Sequence, residues 1–181
     1  EQGSARKVET APEPVDPPLS RFGVRQAFDL IDLLSSFGVA RAFASPAARS
    51  RQSLTPWASM GGGSVTLVES LDLAASGPDA QVDAEARLGR VRAFAAERLR
   101  EHAAPTVLSV TGSARDAIIE EIRAYASAPV AGAEAPRLTR GQVLVAHVEH
   151  GPDGLVVAAL ETHGVTTKNP AAHTRRGNKR H

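Results

Sequence analysis

The sequence predicts an α/β domain: a three-layer α/β/α sandwich around a mixed central sheet. Three observations predict it. Short apolar runs of strand length alternate with longer stretches of helical periodicity. Glycine and proline clusters punctuate that alternation. Two strand-like runs joined by Pro152-Asp153-Gly154 close the sequence of elements as a hairpin.

Taken in order, residues 1–18 are polar and proline-rich, with Pro12, Pro14, Pro17 and Pro18, and read as an extended arm or linker. The domain runs over 19–163. Phe22, Ala27, Leu30, Ile31, Leu33 and Leu34 form a helical stripe over 21–36, with Ser20 as N-cap and Gly38 as stop. Val39 to Ala44 is a buried strand. A helix follows from Pro46 to about Met60 and ends in Gly61 to Gly63. Val65 to Val68 is a short strand, and Ser76 to Asp79 breaks the chain. Residues 81–102 carry the strongest helical signal, with Val82, Ala86, Val91, Phe94, Ala95 and Leu99 on one face. Val107 to Val110 is a buried strand. Asp116 to Tyr125 is a helix with Ile118, Ile119 and Ile122 inward, and 128–140 is loop. Gln142 to Val148 and Leu155 to Leu160 pair as the hairpin. Residues 164–181 hold Lys168, Arg175, Arg176, Lys179 and Arg180 and no acid. They read as a basic disordered tail. A nucleic-acid contact through that tail is the alternative, without the interleaved aromatics that stack bases.

The functional signal lies in Arg41 to Leu54. A strand hands over to a helix through Ser45 and Pro46. Proline fits a first helical turn and serine is a good N-cap. Such a junction offers backbone N–H groups and a positive dipole end to an anion. Arg49 and Gln52 follow three apart, on one helix face. A guanidinium beside a helix N-terminus suits a phosphate; the alternative is an ordinary strand-to-helix junction with solvated arginines.

The run Ser45-Pro46-Ala47-Ala48-Arg49-Ser50-Arg51-Gln52-Ser53 resembles a signature of the histidine phosphatase superfamily, the phosphoglycerate mutase-like fold. Upstream, Leu19, Ser20, Gly23, Gln26 and Ala27 match a segment of its small members, with Pro17 where that family has arginine. Those members include phosphohistidine phosphatases and the phosphatase-like domain of Nudix-linked actinobacterial hydrolases. The resemblance is good over Pro17 to Leu54 and weaker but collinear from Val65 to Leu160. It implies a histidine-phosphatase-like sheet with Arg49 on the phosphate.

Members of that superfamily attack phosphorus with a histidine that follows an arginine at the end of the first strand. The nucleophile must be a neutral nitrogen held in line, with cations around the phosphate. This sequence has no Arg-His pair, and its first histidine is His102. The nearest collinear match puts Arg6 on the phosphate and Lys7 in the nucleophile slot, where an ammonium is a poor nucleophile. The family's second histidine would follow Thr106 to Val110. Thr111, Gly112 and Ser113 stand there instead, and Thr111 and Ser113 can hydrogen-bond an anion. Glu69 or Asp72 is the candidate general acid; a solvated loop acid is the alternative. His147 and His150 lie three apart on a strand, on opposite faces, which is poor geometry for a metal. No metal and no cofactor is expected.

Composition sets the outer bounds. The 181 residues are 42% hydrophobic and 23% charged, an ordinary globular balance. Aromatics are only 4%, so aliphatic residues must build the core. There is no cysteine, which excludes disulfides and thiolate chemistry and fits a reducing, cytoplasmic setting. A net charge of +1 implies no polyanionic partner for the chain as a whole. No apolar run is long enough for a membrane span. The chain opens on Glu1, which reads as processed or cut from something longer.

Two functions follow. The first is a catalytically impaired histidine-phosphatase-like domain that binds a phosphorylated small molecule or phosphoprotein. The second is an active phosphohydrolase, for phosphohistidine or a nucleotide, whose nucleophile strand lies upstream.

Overall fold

The structure is a computed structural model that describes residues 16–61, 63–73, 84–101, 104–131 and 138–164. Helix α1 (Arg21–Ser36) leads into strand β1 (Arg41–Ala44), followed by α2 (Ala48–Gly61) and β2 (Val65–Leu67). A single 3-10 turn, Glu69–Leu71, comes before α3 (Ala84–Arg100) and β3 (Thr106–Ser109). Then come α4 (Gly112–Ala124), a short α5 (Ala128–Ala131) within the expected loop, and the hairpin β4 (Gln142–Gly151) and β5 (Gly154–Gly164).

Local chemistry explains the boundaries. Ser20 Oγ accepts the Gly23 N–H at 3.1 Å and starts α1. Gly38 ends it with φ +62°, and the Val39 N–H reaches the Leu34 carbonyl while the Gly38 N–H reaches Ser35. The helix expected from Pro46 begins two residues later. Ser45 Oγ takes the Ala47 N–H at 3.2 Å, so Pro46 and Ala47 form a bend. Pro56 lies inside α2, where it has no N–H for the carbonyl four residues back.

β1 pairs in parallel with β2 on one side and β3 on the other, in the order β2-β1-β3. Side chains alternate across this sheet with period two. Ala42, Ala44, Val65 and Val107 join Leu34, Leu54 and Trp57 beneath α1 and α2. Phe43 turns the other way onto Phe94, ring centroids 5.4 Å apart. On that second face Leu108 and Val110 pack with Leu71, Val91, Ala95, Ala114, Ala117 and Ile118 from α3, α4 and the 3-10 turn. The result is the α/β/α layering the alternation predicted, with a mostly aliphatic core.

The strands expected in one mixed sheet form two ladders. β4 and β5 pair antiparallel with each other, apart from the parallel three. Their register slips at His147 and Val148, leaving Ala158 as the extra residue of a bulge. The hairpin is anchored through β5: the Val157 N–H donates to Tyr125 and the Ser127 N–H to Val157, at 2.8 and 3.1 Å. No helix among the described residues is long and apolar enough to cross a membrane.

Leu71 is fully buried where the 3-10 turn meets α3. Leu71→Ala is expected to lower unfolding free energy by about 2–5 kcal/mol, read from urea denaturation of the two proteins.

Candidate functional site

The parallel register decides what can meet. Ala44 lies opposite Leu67 on one side and Ser109 on the other, so the three strands end level. Pairing continues one residue further, with the Val68 N–H on Ala44 and the Ser45 N–H on Ser109, both at 2.9 Å. Three connections therefore leave the same rim of the sheet: Val68 to Asp72, Ser45 to Arg49, and Val110 to Ser113. Ligand sites of open α/β sheets form at this rim.

The candidate residues take different parts there. Arg49 is exposed in the first turn of α2 and pairs with no described residue. Thr111 occupies the N-cap position of α4, but its side chain makes no capping hydrogen bond. It and Ser113 are exposed at the next strand end. Glu69 is exposed on the far side of β1, and Asp72 is half-buried with interactions of its own. Arg6, Lys7 and His102 lie outside the described residues.

Two amides of the expected backbone cradle at α2 are engaged within the chain. Ser45 is fully buried, and its hydroxyl is engaged with Ala47. The next amide, Ala48 N–H, is held by both carboxylate oxygens of Asp16, at 2.9 and 3.0 Å. A carboxylate at a helix N-terminus is favourable for the same electrostatic reason a phosphate would be. Ser45 and Asp16 thus engage the Ala47 and Ala48 amides, which are not available to an anion at this rim. Gln52 is likewise committed: its Oε1 accepts the Leu19 N–H at 2.7 Å. The end of the arm, Asp16 to Leu19, is in this way bound to α2.

Sequence spacing did not reveal Asp16, which is 32 positions from the amide it caps. Nor did it reveal the 2.8 Å contact between the hydroxyls of Ser53 and Ser109. Ser53 Oγ also lies 2.8 Å from the Ser50 carbonyl, a donor position. With the Ser53 proton committed there, Ser109 is the donor of the pair. This bond ties α2 to the end of β3.

The described histidines lie elsewhere. His150 Nε2 is 2.8 Å from the Leu99 carbonyl, in the last turn of α3. That helix end feeds the start of β3, opposite the rim. His147 Nε2 and His163 Nε2 approach the two oxygens of Glu161 at 2.7 and 3.1 Å. The Phe37 ring meets His163 edge-on, 5.2 Å between centroids. The hydrogen bond from His147, followed by that from His163, holds the Glu161 carboxyl below its ordinary value. No group of three or more His, Asp or Glu among the described residues could hold a metal ion. A separate apolar cleft of about 290 Å³ lies between α1 and α2, lined by Leu19, Val24, Ala27 and Pro56 among others. None of the rim candidates lines it.

No protein-family model matches the chain, and no curated protein does. Solved structures do overlap it. A mycobacterial glucosyl-3-phosphoglycerate phosphatase, in complex with inorganic phosphate, is 19% identical at a TM-score of 0.47, over 60% of this chain and 70% of that one. The structure named mycobacterial hydrolase 2 is 18% identical at a TM-score of 0.46, over 60% of this chain and 63% of that one. Overlap at that level carries no argument about this chain's chemistry.

A carboxyl held low stabilises the fold above the carboxylate range, and the contribution fades as pH falls through its folded-state value. Glu161→Gln is therefore expected to lower Tm slightly at neutral pH. The difference from the parent should close in acid, as followed by thermal melts across pH.

Proposed function

We propose that this chain is a histidine-phosphatase-like domain that keeps the arginine side of a phosphate pocket. It binds a phosphorylated small molecule or phosphoprotein without turning it over. One observation carries the proposal. The level ends of β1 and β3 bring an exposed Arg49, with no pairing to a described residue, to the same rim as the hydroxyls of Thr111 and Ser113. Those groups match what a phosphate needs, a guanidinium and neutral donors. The sequence motif around Arg49 supports the same role. Turnover needs a nucleophile in line with phosphorus. His147, His150 and His163 are engaged on the hairpin or at the far end of α3.

A second reading is an active phosphohydrolase whose nucleophile strand precedes this sequence. It is favoured by the outer edge of β3, which no described strand covers.

Titration with inorganic phosphate, followed by ³¹P NMR, tests the first. Arg49→Ala is expected to weaken binding about tenfold, or 1.4 kcal/mol, and the parent is expected to show negligible hydrolysis of an aryl phosphate. Turnover that disappears in Arg49→Ala would establish catalysis and overturn the impaired reading. Unchanged phosphate affinity would move the anion site away from Arg49.

A further inference from the structure

We propose that the outer face of α1 is an interface between two copies of this chain, packed antiparallel about a two-fold axis, with Phe28 of each copy seated at the apolar cleft of the other. This interface goes beyond the phosphate reading and uses neither Arg49 nor Thr111 and Ser113.

The face holds apolar surface that the described chain leaves open. α1 turns Leu30, Ile31 and Leu34 onto the core beside Leu54 and Trp57. Its other side exposes Arg21, Val24, Arg25, Phe28, Asp29 and Asp32. Those positions recur at spacings of three and four, so they share one stripe. Val24 is 43% exposed and Phe28 54%, and the two are neighbours on the stripe. From Val24 the apolar surface continues into the cleft between α1 and α2, whose described walls include Leu19, Ala27 and Pro56 and no charged side chain. At about 290 Å³ this cleft lies at the foot of the small-molecule range, which starts at about 300 Å³, and its size suits one aromatic ring.

Charge selects the occupant. Arg21 and Arg25 stand in the first half of α1, Asp29 and Asp32 in the second. None of the four forms an ion pair with a described residue. Their order opposes the dipole of α1 itself, whose first turn has no acid and whose last turn has no base. Two such helices laid antiparallel remove the conflict. The arginines of each copy then lie along the C-terminal half of the other helix and the aspartates along its N-terminal half, where those charges are favoured. With Arg21 of one copy opposite Asp32 of the other, Arg25 falls one residue from Asp29, and Val24 one residue from Phe28. One residue is about 1.5 Å along the axis. A single register therefore pairs opposite charges and brings Phe28 to the mouth of the other copy's cleft. A parallel register would set like charges together.

The complementarity is between the face and itself, which is what a two-fold contact between identical chains requires, and every pairing is made twice. The contact is small. α1 has 16 residues and is about 24 Å long, and interfaces burying less than about 1,200 Å² are weak ones. Association is therefore expected in the micromolar range.

Sedimentation velocity of the 181-residue chain over a concentration series tests the interface. The parent is expected to pass from monomer to dimer. Phe28→Ser, and separately the pair Arg21→Asp and Arg25→Asp, are each expected to raise the dimer Kd at least about tenfold. The two aspartates enter the N-terminal half of the helix, where acids favour an isolated helix. The Tm of that variant at high dilution is therefore expected to hold or rise, which separates lost association from lost folding. Adding Asp29→Arg and Asp32→Arg reverses all four charges and is expected to restore dimerisation. The proposal is overturned if the parent stays monomeric at about 1 mM, which would leave this face to a different protein. It is equally overturned if Phe28→Ser or the two-charge change leaves the dimer intact, or if the four-charge reversal fails to restore it. The readout is mass alone, so the result is independent of whether Arg49 binds phosphate.

Discussion

Everything at the rim depends on β1 being paired on both sides in one register. Ala44 is flanked by Leu67 and Ser109, and the amides just beyond it are bonded across as well. Alanine at positions 42 and 44 makes this packing possible. Its small side chain lets α1, α2 and the Trp57 ring close over the sheet. A shift of one residue would exchange Ala42 and Ala44 with Phe43 and place an aromatic ring under α2. It would also separate the turn carrying Arg49 from the turn carrying Thr111.

The same junction shows how a helix N-terminus can be used up internally. The strand, the Ser-Pro turn and the helix are all present, yet Ser45 and Asp16 engage the Ala47 and Ala48 amides that could otherwise face an anion. The proposed anion site then rests chiefly on the exposed Arg49 guanidinium. An exposed charge pair at 4 Å is worth about 1 kcal/mol in water. Arg49 acting alone would therefore hold phosphate weakly. A tighter pocket needs a second cation.

Local features were readable in the sequence. The Ser20 cap, the Gly38 stop, the 3.6-residue stripe of α1 and the turn at Pro152 to Gly154 each come from a few neighbouring residues. The strand-to-helix junction at Ser45 was readable too, though α2 starts at Ala48 because Pro46 and Ala47 form a bend. Long-range pairing was not. Asp16 on Ala48, and Ser109 on Ser53, join residues far apart, and no periodicity encodes such contacts. The division of the strands into two ladders was equally hidden. β3 and β4 each read as an ordinary strand, and which strands share hydrogen bonds is a long-range matter that no local pattern encodes.

We propose the rim beside Arg49 as the place where this fold holds a tetrahedral oxyanion. A crystal structure grown with tungstate, a heavy phosphate mimic, tests it most directly. Tungstate is expected on the Arg49 guanidinium within reach of Thr111 or Ser113, with no imidazole behind it. Tungstate bound elsewhere while the rim stays empty would contradict it, and so would a histidine ring aligned behind the bound anion.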